Sequence, residues 1–148
     1  MINLDYKYFY GDITNFVNDN KITSISKYLL VTDIINRYTY VFIKNNDMWS
    51  ILYKWPCTVG KASTPTVQGV FYVNGRKPYF GTSTYRAKYA TRIIKGYYYH
   101  SVLYDQSGTK IIDGRLGMAL SHGCIRLKTS NAKWIYENIP DKTKIIIH

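Results

Sequence analysis

The feature that most restricts the fold is a succession of short runs rich in Ile, Val, Tyr, Phe and Thr, cut by turn-forming residues. "SKYLLVTDIINRYTYVFIKNNDMWSILYKWPCTVG" holds two or three such runs, and "NND" at Asn45 to Asp47 punctuates them as a hairpin turn would. "GVFYV" (69–73), "GYYYHSVLY" (96–104) and the closing "TKIIIH" are further strand candidates. Only "TSNAKWIYENIP" reads as a helix, with Thr129 or Ser130 as its cap, Trp134 and Ile135 toward the core, and Pro140 past its end. The prediction is an all-β domain with one helix. Residues 74–96, rich in turn formers, read as a long functional loop.

Size and composition agree with a packed domain. The chain has 148 residues, 46% of them hydrophobic and 20% charged, enough for one core without metal or disulfide support. Twenty Lys and Arg against nine Asp and Glu give a net charge of +11, and Glu137 is the only glutamate. Such a field favours polyanionic surroundings. The cations are spread singly, as at Lys27, Lys61 and Lys133, with no nucleic-acid-binding signature, so no nucleic-acid partner is expected. No apolar run reaches membrane-spanning length, and "MINLDYKYFYGD" lacks an export-signal core. Two readings fit: a cytoplasmic protein, or a chain trimmed of an N-terminal anchor or signal.

Chemistry concentrates in "ALSHGCIRLKTS", which brings together Ser121, His122, Gly123, Cys124 and Arg126. A cysteine attacks as its thiolate, so it needs a base or a neighbouring cation. His122 and Arg126 are close in sequence, and His100 lies on the preceding strand candidate. Gly123 permits a positive φ and lets the N–H groups of residues 122–124 converge on a developing oxyanion. These are the parts for acyl transfer through a thioester, provided the segments carrying His100 and Cys124 are neighbours. His100 and Cys124 should then lie within one hydrogen bond, or one bridging water, of each other. Cys57 in "KWPCTVG" reads as a small core residue. Zinc spacing is missing, so no metal is expected, and transfer through a thioester has no step that needs a cofactor; a Cys57–Cys124 disulfide would cap the very residue the site is built around.

Together these residues carry a resemblance. "SHGCIRL" resembles the signature of the L,D-transpeptidase catalytic domain (YkuD-type), a bacterial cell-wall enzyme family. "KYLLVTDIINRYTYVFI", "CTVGKASTPTVQGVFYV", "YYYHSVLYD", "RLGMALSHGCIRL" and "NAKWIYENIPDKTKIIIH" are similar to successive segments of it. The similarity spans residues 26–148, leaving 1–25 as an N-terminal extension or the remnant of an upstream region. It implies a β-sandwich of mixed sheets with one short C-terminal helix. It implies Cys124 as nucleophile and His100 as base, its tautomer fixed by the Ser101 carbonyl, though His122 stays an alternative base. It also implies an oxyanion pocket at His122, Gly123 and Cys124 within the Ser121 turn, and Arg126 either gripping a substrate carboxylate or bracing the turn. Tyr79, Phe80, Tyr85 and Tyr89 are candidates for a cover, with Tyr85 and Tyr89 as substrate contacts.

The implied reaction joins two peptidoglycan stem peptides, donor and acceptor, in a 3-3 cross-link with release of D-alanine. Carbapenem-type β-lactams are implied covalent inhibitors, and anionic wall polymers would match the basic charge. The substrate implies a location outside the cytoplasmic membrane and a membrane-anchored parent. Two other classes share these residues: a cysteine peptidase that passes the thioester to water, and a non-catalytic basic module that binds wall polymer. Two departures from the family pattern stand out. "DQSGTKIIDG" lengthens the stretch between His100 and Ser121 and should form a hairpin, and Arg126 occupies a position where many members have Asn.

Overall fold

A computed structural model describes residues 3–148. Its elements are α1 (Ile13–Asp19), β1 (Tyr28–Asp33), β2 (Tyr38–Asn45), β3 (Met48–Pro56), β4 (Val59–Gly60), β5 (Gly69–Tyr72), β6 (Arg76–Gly81) and β7 (Arg86–Ile94). Then follow β8 (Tyr97–Ser101), β9 (Leu103–Tyr104), β10 (Ile111–Asp113), β11 (Ala119–Ser121), β12 (Ile125–Leu127), α2 (Thr129–Asn138) and β13 (Lys144–Ile147). One sheet has the order β3-β2-β1-β13-β5, and a second has β10-β9-β7-β8-β12 with β6 added to β7. Both are mixed: β1 runs parallel to β13 and β12 parallel to β8, while the other ladders of the two sheets are antiparallel.

The central strands of the first sheet, β1 and β13, are buried on both faces, which explains why they read as nearly unbroken apolar runs. Leu30, Ile145 and Ile147 face the second sheet and α2, with Tyr99, Ile125, Leu127 and Ile135. Leu29, Val31 and Ile146 point the other way and meet Phe9, Ile13, Phe16, Val17 and Ile22 from the N-terminal stretch. Period-two alternation therefore assigns consecutive residues to two separate cores. The hairpin expected at "NND" is present, with φ of 51° at Asn46 and 64° at Asp47, as a two-residue turn between right-twisted strands requires.

Three expectations need correction. Two helices occur among the described residues: α1 is capped by the Asp12 carboxylate, which accepts from Asn15 N at 3.1 Å, and it buries Ile13, Phe16 and Val17. Seven residues show too little helical period to stand out. Neither Thr129 nor Ser130 caps α2; Lys128 holds that position with no side-chain bond, and the Thr129 hydroxyl meets Tyr104 Oη at 2.7 Å. Residues 74–96 form a β-hairpin rather than a loop. Pro78 sits in β6, which among the described residues pairs with β7 alone, the edge position where a strand tolerates proline. The expected hairpin in "DQSGTKIIDG" is present as β9–β10.

Candidate active site

The parallel ladder of β8 and β12 builds the site. It pairs Ile125 with Tyr99 and Arg126 with His100. Tyr99 and Ile125 enter the core, so His100 and Arg126 share the opposite face. Carried one residue back, the ladder sets Cys124 opposite Tyr98, on the same face and diagonal to His100. The thiol donates to the Gly96 carbonyl at 3.5 Å, so its resting partner is main chain rather than His100.

His100 is almost fully buried, and its Nδ1 lies 2.6 Å from the Ser101 carbonyl. A carbonyl can only accept, so Nδ1 carries the proton and Nε2 is left as the acceptor. Phe80 meets the imidazole edge-on at 5.2 Å. Burial pulls the His100 pKa down to about 4, the Ser101 bond opposes this, and the Arg126 charge adds to it. Burial pushes the Cys124 thiol upward, against the pull of the Tyr98 backbone and Arg126. At neutral pH both groups rest uncharged.

The turn before β12 is held from two directions. Ser121 Oγ accepts from Gly123 N at 3.0 Å and donates to the Cys124 carbonyl at 2.6 Å. Of the three amides expected to form an oxyanion pocket, that of Gly123 is thus engaged inside the turn, while those of His122 and Cys124 carry no such internal bond. Gly123 has φ of 125°, and a Cβ there would lie 2.5 Å from Tyr97 Cε1, so no other residue fits. The His122 side chain is exposed. From the other side, Thr66 Oγ1 donates to the Gly123 carbonyl at 2.9 Å and accepts from Gly60 N at 2.9 Å. Thr64 Oγ1 donates to the Ser121 carbonyl at 2.8 Å. A Cβ on Gly60 would lie 2.1 Å from the Thr64 carbonyl oxygen, so this clasp also depends on a glycine.

Arg126 is buried, and its Nη1 reaches Asp113 Oδ2 at 3.2 Å. Its Nε has no hydrogen-bond partner among the described residues. Asp113 comes from the β9–β10 hairpin and also binds Arg115 Nε at 3.0 Å. Hydrogen bonds from Arg115, with the charges of Arg115 and Arg126, hold the Asp113 carboxyl down at about 2.

Sequence reasoning located His100, Ser101, Ser121, Gly123, Cys124 and Arg126, and the structure brings them together. It does not bring in every candidate cover residue. Tyr89 packs against Tyr136 of α2 at 5.6 Å, Tyr79 lies under Arg86 at 4.1 Å, and Tyr85 sits at the tip of the β6–β7 hairpin. Of the four, Phe80 is the one that touches His100. Thr64, Thr66 and Asp113 were missed as site residues. Both cysteines are free thiols, and Cys57 is fully buried. Among the described residues, no group of three or more His, Cys, Asp or Glu side chains is placed to hold a metal.

Comparison with known proteins gives this arrangement a context. The model of the YkuD family, described as the L,D-transpeptidase catalytic domain, matches residues 27–147. YciB of Bacillus subtilis (strain 168), named as a candidate L,D-transpeptidase, is 40% identical over 89 residues, covering 55% of this chain and 46% of that protein. The chain therefore spans about half the length of this curated relative. A fused Zn-dependent amidase/peptidase/peptidoglycan-binding domain-containing protein from Clostridium acetobutylicum is similar over 100% of this chain and 65% of its own, at 34% identity and a TM-score of 0.77. An L,D-transpeptidase from Mycobacterium smegmatis is similar over 82% of this chain and 58% of its own, at 25% identity and a TM-score of 0.67.

Proposed function

The chain belongs to the L,D-transpeptidase catalytic-domain family, and from that premise we propose that it cross-links peptidoglycan stems through a thioester on Cys124. One observation carries the reading. An imidazole with Nδ1 tied to a carbonyl and Nε2 unused shares a sheet face with a thiol on a braced turn. We assign catalysis to residues 26–148, leave 1–25 as an extension, and place the activity outside the cytoplasmic membrane, where the substrate lies.

Because thiol and imidazole rest neutral, His100 acts as a general base during attack rather than as one half of a preformed ion pair. Cys124 Sγ bonds to the carbonyl carbon of the diamino acid that precedes D-alanine, and its proton passes to His100 Nε2. The amides of His122 and Cys124 receive the oxyanion. His100 then gives that proton to the departing amine of D-alanine as the tetrahedral intermediate collapses to a thioester. An amine on the acceptor stem attacks the thioester, loses a proton to His100, and releases the thiolate, which takes the proton back. Arg126 lowers the cost of the negative charge on sulfur. Its field also disfavours imidazolium, and Asp113 offsets part of that effect.

Phe80 covers His100 and helps keep water from the thioester. Support for a β-lactam probe comes from LdtMt1, an L,D-transpeptidase of similar fold solved in complex with imipenem. Incubation with a tetrapeptide stem tests the reading. A cross-linked dimer with one free D-alanine per bond is expected; a shortened monomer alone would replace transfer with hydrolysis.

A further inference from the structure

The N-terminal stretch leaves part of the first sheet's outer face uncovered. It packs over β1, β2 and the Ile146 position of β13, and no residue of β5 joins that core. The β5–β13 ladder pairs Val70 with Ile146 and Tyr72 with Lys144, while Phe71 between them turns into the main core. Val70 and Tyr72 therefore stand on the outer face, where both are exposed. This face points away from the second sheet, which carries His100.

Between the uncovered strip and the N-terminal stretch lies a cavity of about 390 Å³ with Leu4, Ile22, Val70 and Ile146 in its lining. A second hollow of about 510 Å³ shares Thr23, Tyr72 and Lys144 with it. Lys21 lines the first, Lys142 the second and Lys144 both, and no carboxylate lines either. None of these lysines is in an ion pair among the described residues, whose pairs are Arg76–Asp141, Arg115–Asp113 and Arg126–Asp113. Lys144 Nζ donates to Thr23 Oγ1 at 3.4 Å, and burial pulls the Lys144 pKa below its ordinary value. A half-buried ammonium beside an apolar hollow is stabilised by an anion, and the lining contributes none. β13 pairs on both sides, with β1 and β5, so the floor presents side chains and keeps its backbone groups inside the sheet. That suits a hydrocarbon chain better than a peptide, whose own N–H and C=O groups need partners.

We propose that this groove binds a single-chain anionic lipid, its acyl chain over Ile22, Val70 and Ile146 and its head group between Lys142 and Lys144. The cavity falls within the usual size of small-ligand sites, about 300–1,000 Å³. Chain burial supplies the affinity, and the lysines select the charge. The site is separate from the thiol chemistry and stands whether or not the transpeptidase reading does.

The test is calorimetric titration of the full chain with lauroyl lysophosphatidylglycerol below its micelle concentration. The choline analogue with the same chain, and glycerol phosphate without a chain, are the controls. The anionic lipid should bind about tenfold more tightly than the choline analogue, and glycerol phosphate should give no binding heat. A chain shorter by two methylenes should bind about tenfold more weakly. Lys142→Gln combined with Lys144→Gln should erase the head-group preference, and Val70→Gln should weaken both lipids. Thermal melting checks that each variant is folded. Equal affinity for the two head groups, or an affinity unchanged by the lysine pair or by Val70→Gln, overturns the proposal. So does retention on phosphatidylglycerol vesicles without binding of the monomer, which would make this face a bilayer contact instead of a lipid site.

Discussion

The two cysteines make the sharpest comparison in the molecule. Both are free thiols, and burial raises the pKa of both, Cys57 to about 12. Thiol acidity therefore does not single out the nucleophile. The surroundings do. Cys57 is sealed in the main core, its polar neighbours being Thr39, Asp33 and Arg37. Cys124 ends a turn fixed by Ser121 and Thr66, shares a face with a singly bonded imidazole, and is partly open. On the proposed reading, a histidine on the same sheet face and an opening to solvent separate a reactive thiol from an inert one.

The largest expected effect follows from exchanging the two. Cys124→Ala should abolish acyl-enzyme formation while leaving the melting temperature nearly unchanged. Cys57→Ala should keep activity and lower stability by about 1 kcal/mol through a small core cavity, as read by chemical denaturation. Equal loss of activity in both would merge two sites that the structure separates.

Next in size is the base. His100→Ala should slow β-lactam acylation by roughly 10²- to 10⁴-fold. His122→Ala should change it less than about tenfold, since an exposed side chain is lost and the backbone N–H stays. The reverse order in stopped-flow acylation would transfer the role to His122.

Much of this was legible because reactive residue types are rare in the chain and sit in strands with plain alternation. The Asn46–Asp47 turn stands out in local pattern, and so do Cys124 and its neighbours as chemistry-bearing residues, while the pairing of His100 with Cys124 comes from the resemblance. The clasp does not stand out. Thr64 and Thr66 reach the nucleophile turn from 57 positions away, and threonine is too common a residue to announce such a contact. Asp113 was hidden for the same reason, being one carboxylate in a hairpin whose docking on Arg126 depends on tertiary packing. Tyr89 reads as a cover residue from a turn-rich stretch of sequence, and its packing against Tyr136 of α2 depends on tertiary structure that local pattern does not carry.

Removing the clasp gives a smaller effect. Thr66→Val keeps shape but strands the Gly60 N–H and the Gly123 carbonyl. It should cost about 1–3 kcal/mol of stability and lower acylation roughly tenfold through a loosened turn. Serine at position 66 should rescue most of both. Full activity in Thr66→Val would reduce the clasp to a fold contact.

The pH profile should show the smallest effect under ordinary conditions. A buried His100 stays neutral until about pH 4, so acylation should not fall near pH 6.5 as it would with an ordinary imidazole. Stability has the opposite exposure. Below pH 6.5 the unfolded chain takes up the His100 proton and the folded chain does not, so about 3 kcal/mol is lost as pH falls toward 4. As pH falls through this range, wild type should lose stability relative to His100→Gln in denaturation midpoints, and a constant difference between the two would mean that the imidazole is charged in the fold.

The most direct test of the central claim is the intact mass of the protein after exposure to a carbapenem, followed by peptide mapping. A single covalent adduct on Cys124, lost in Cys124→Ala and retained in Cys57→Ala, is the predicted result. An adduct mapped to Cys57, or one that survives Cys124→Ala, would contradict the account.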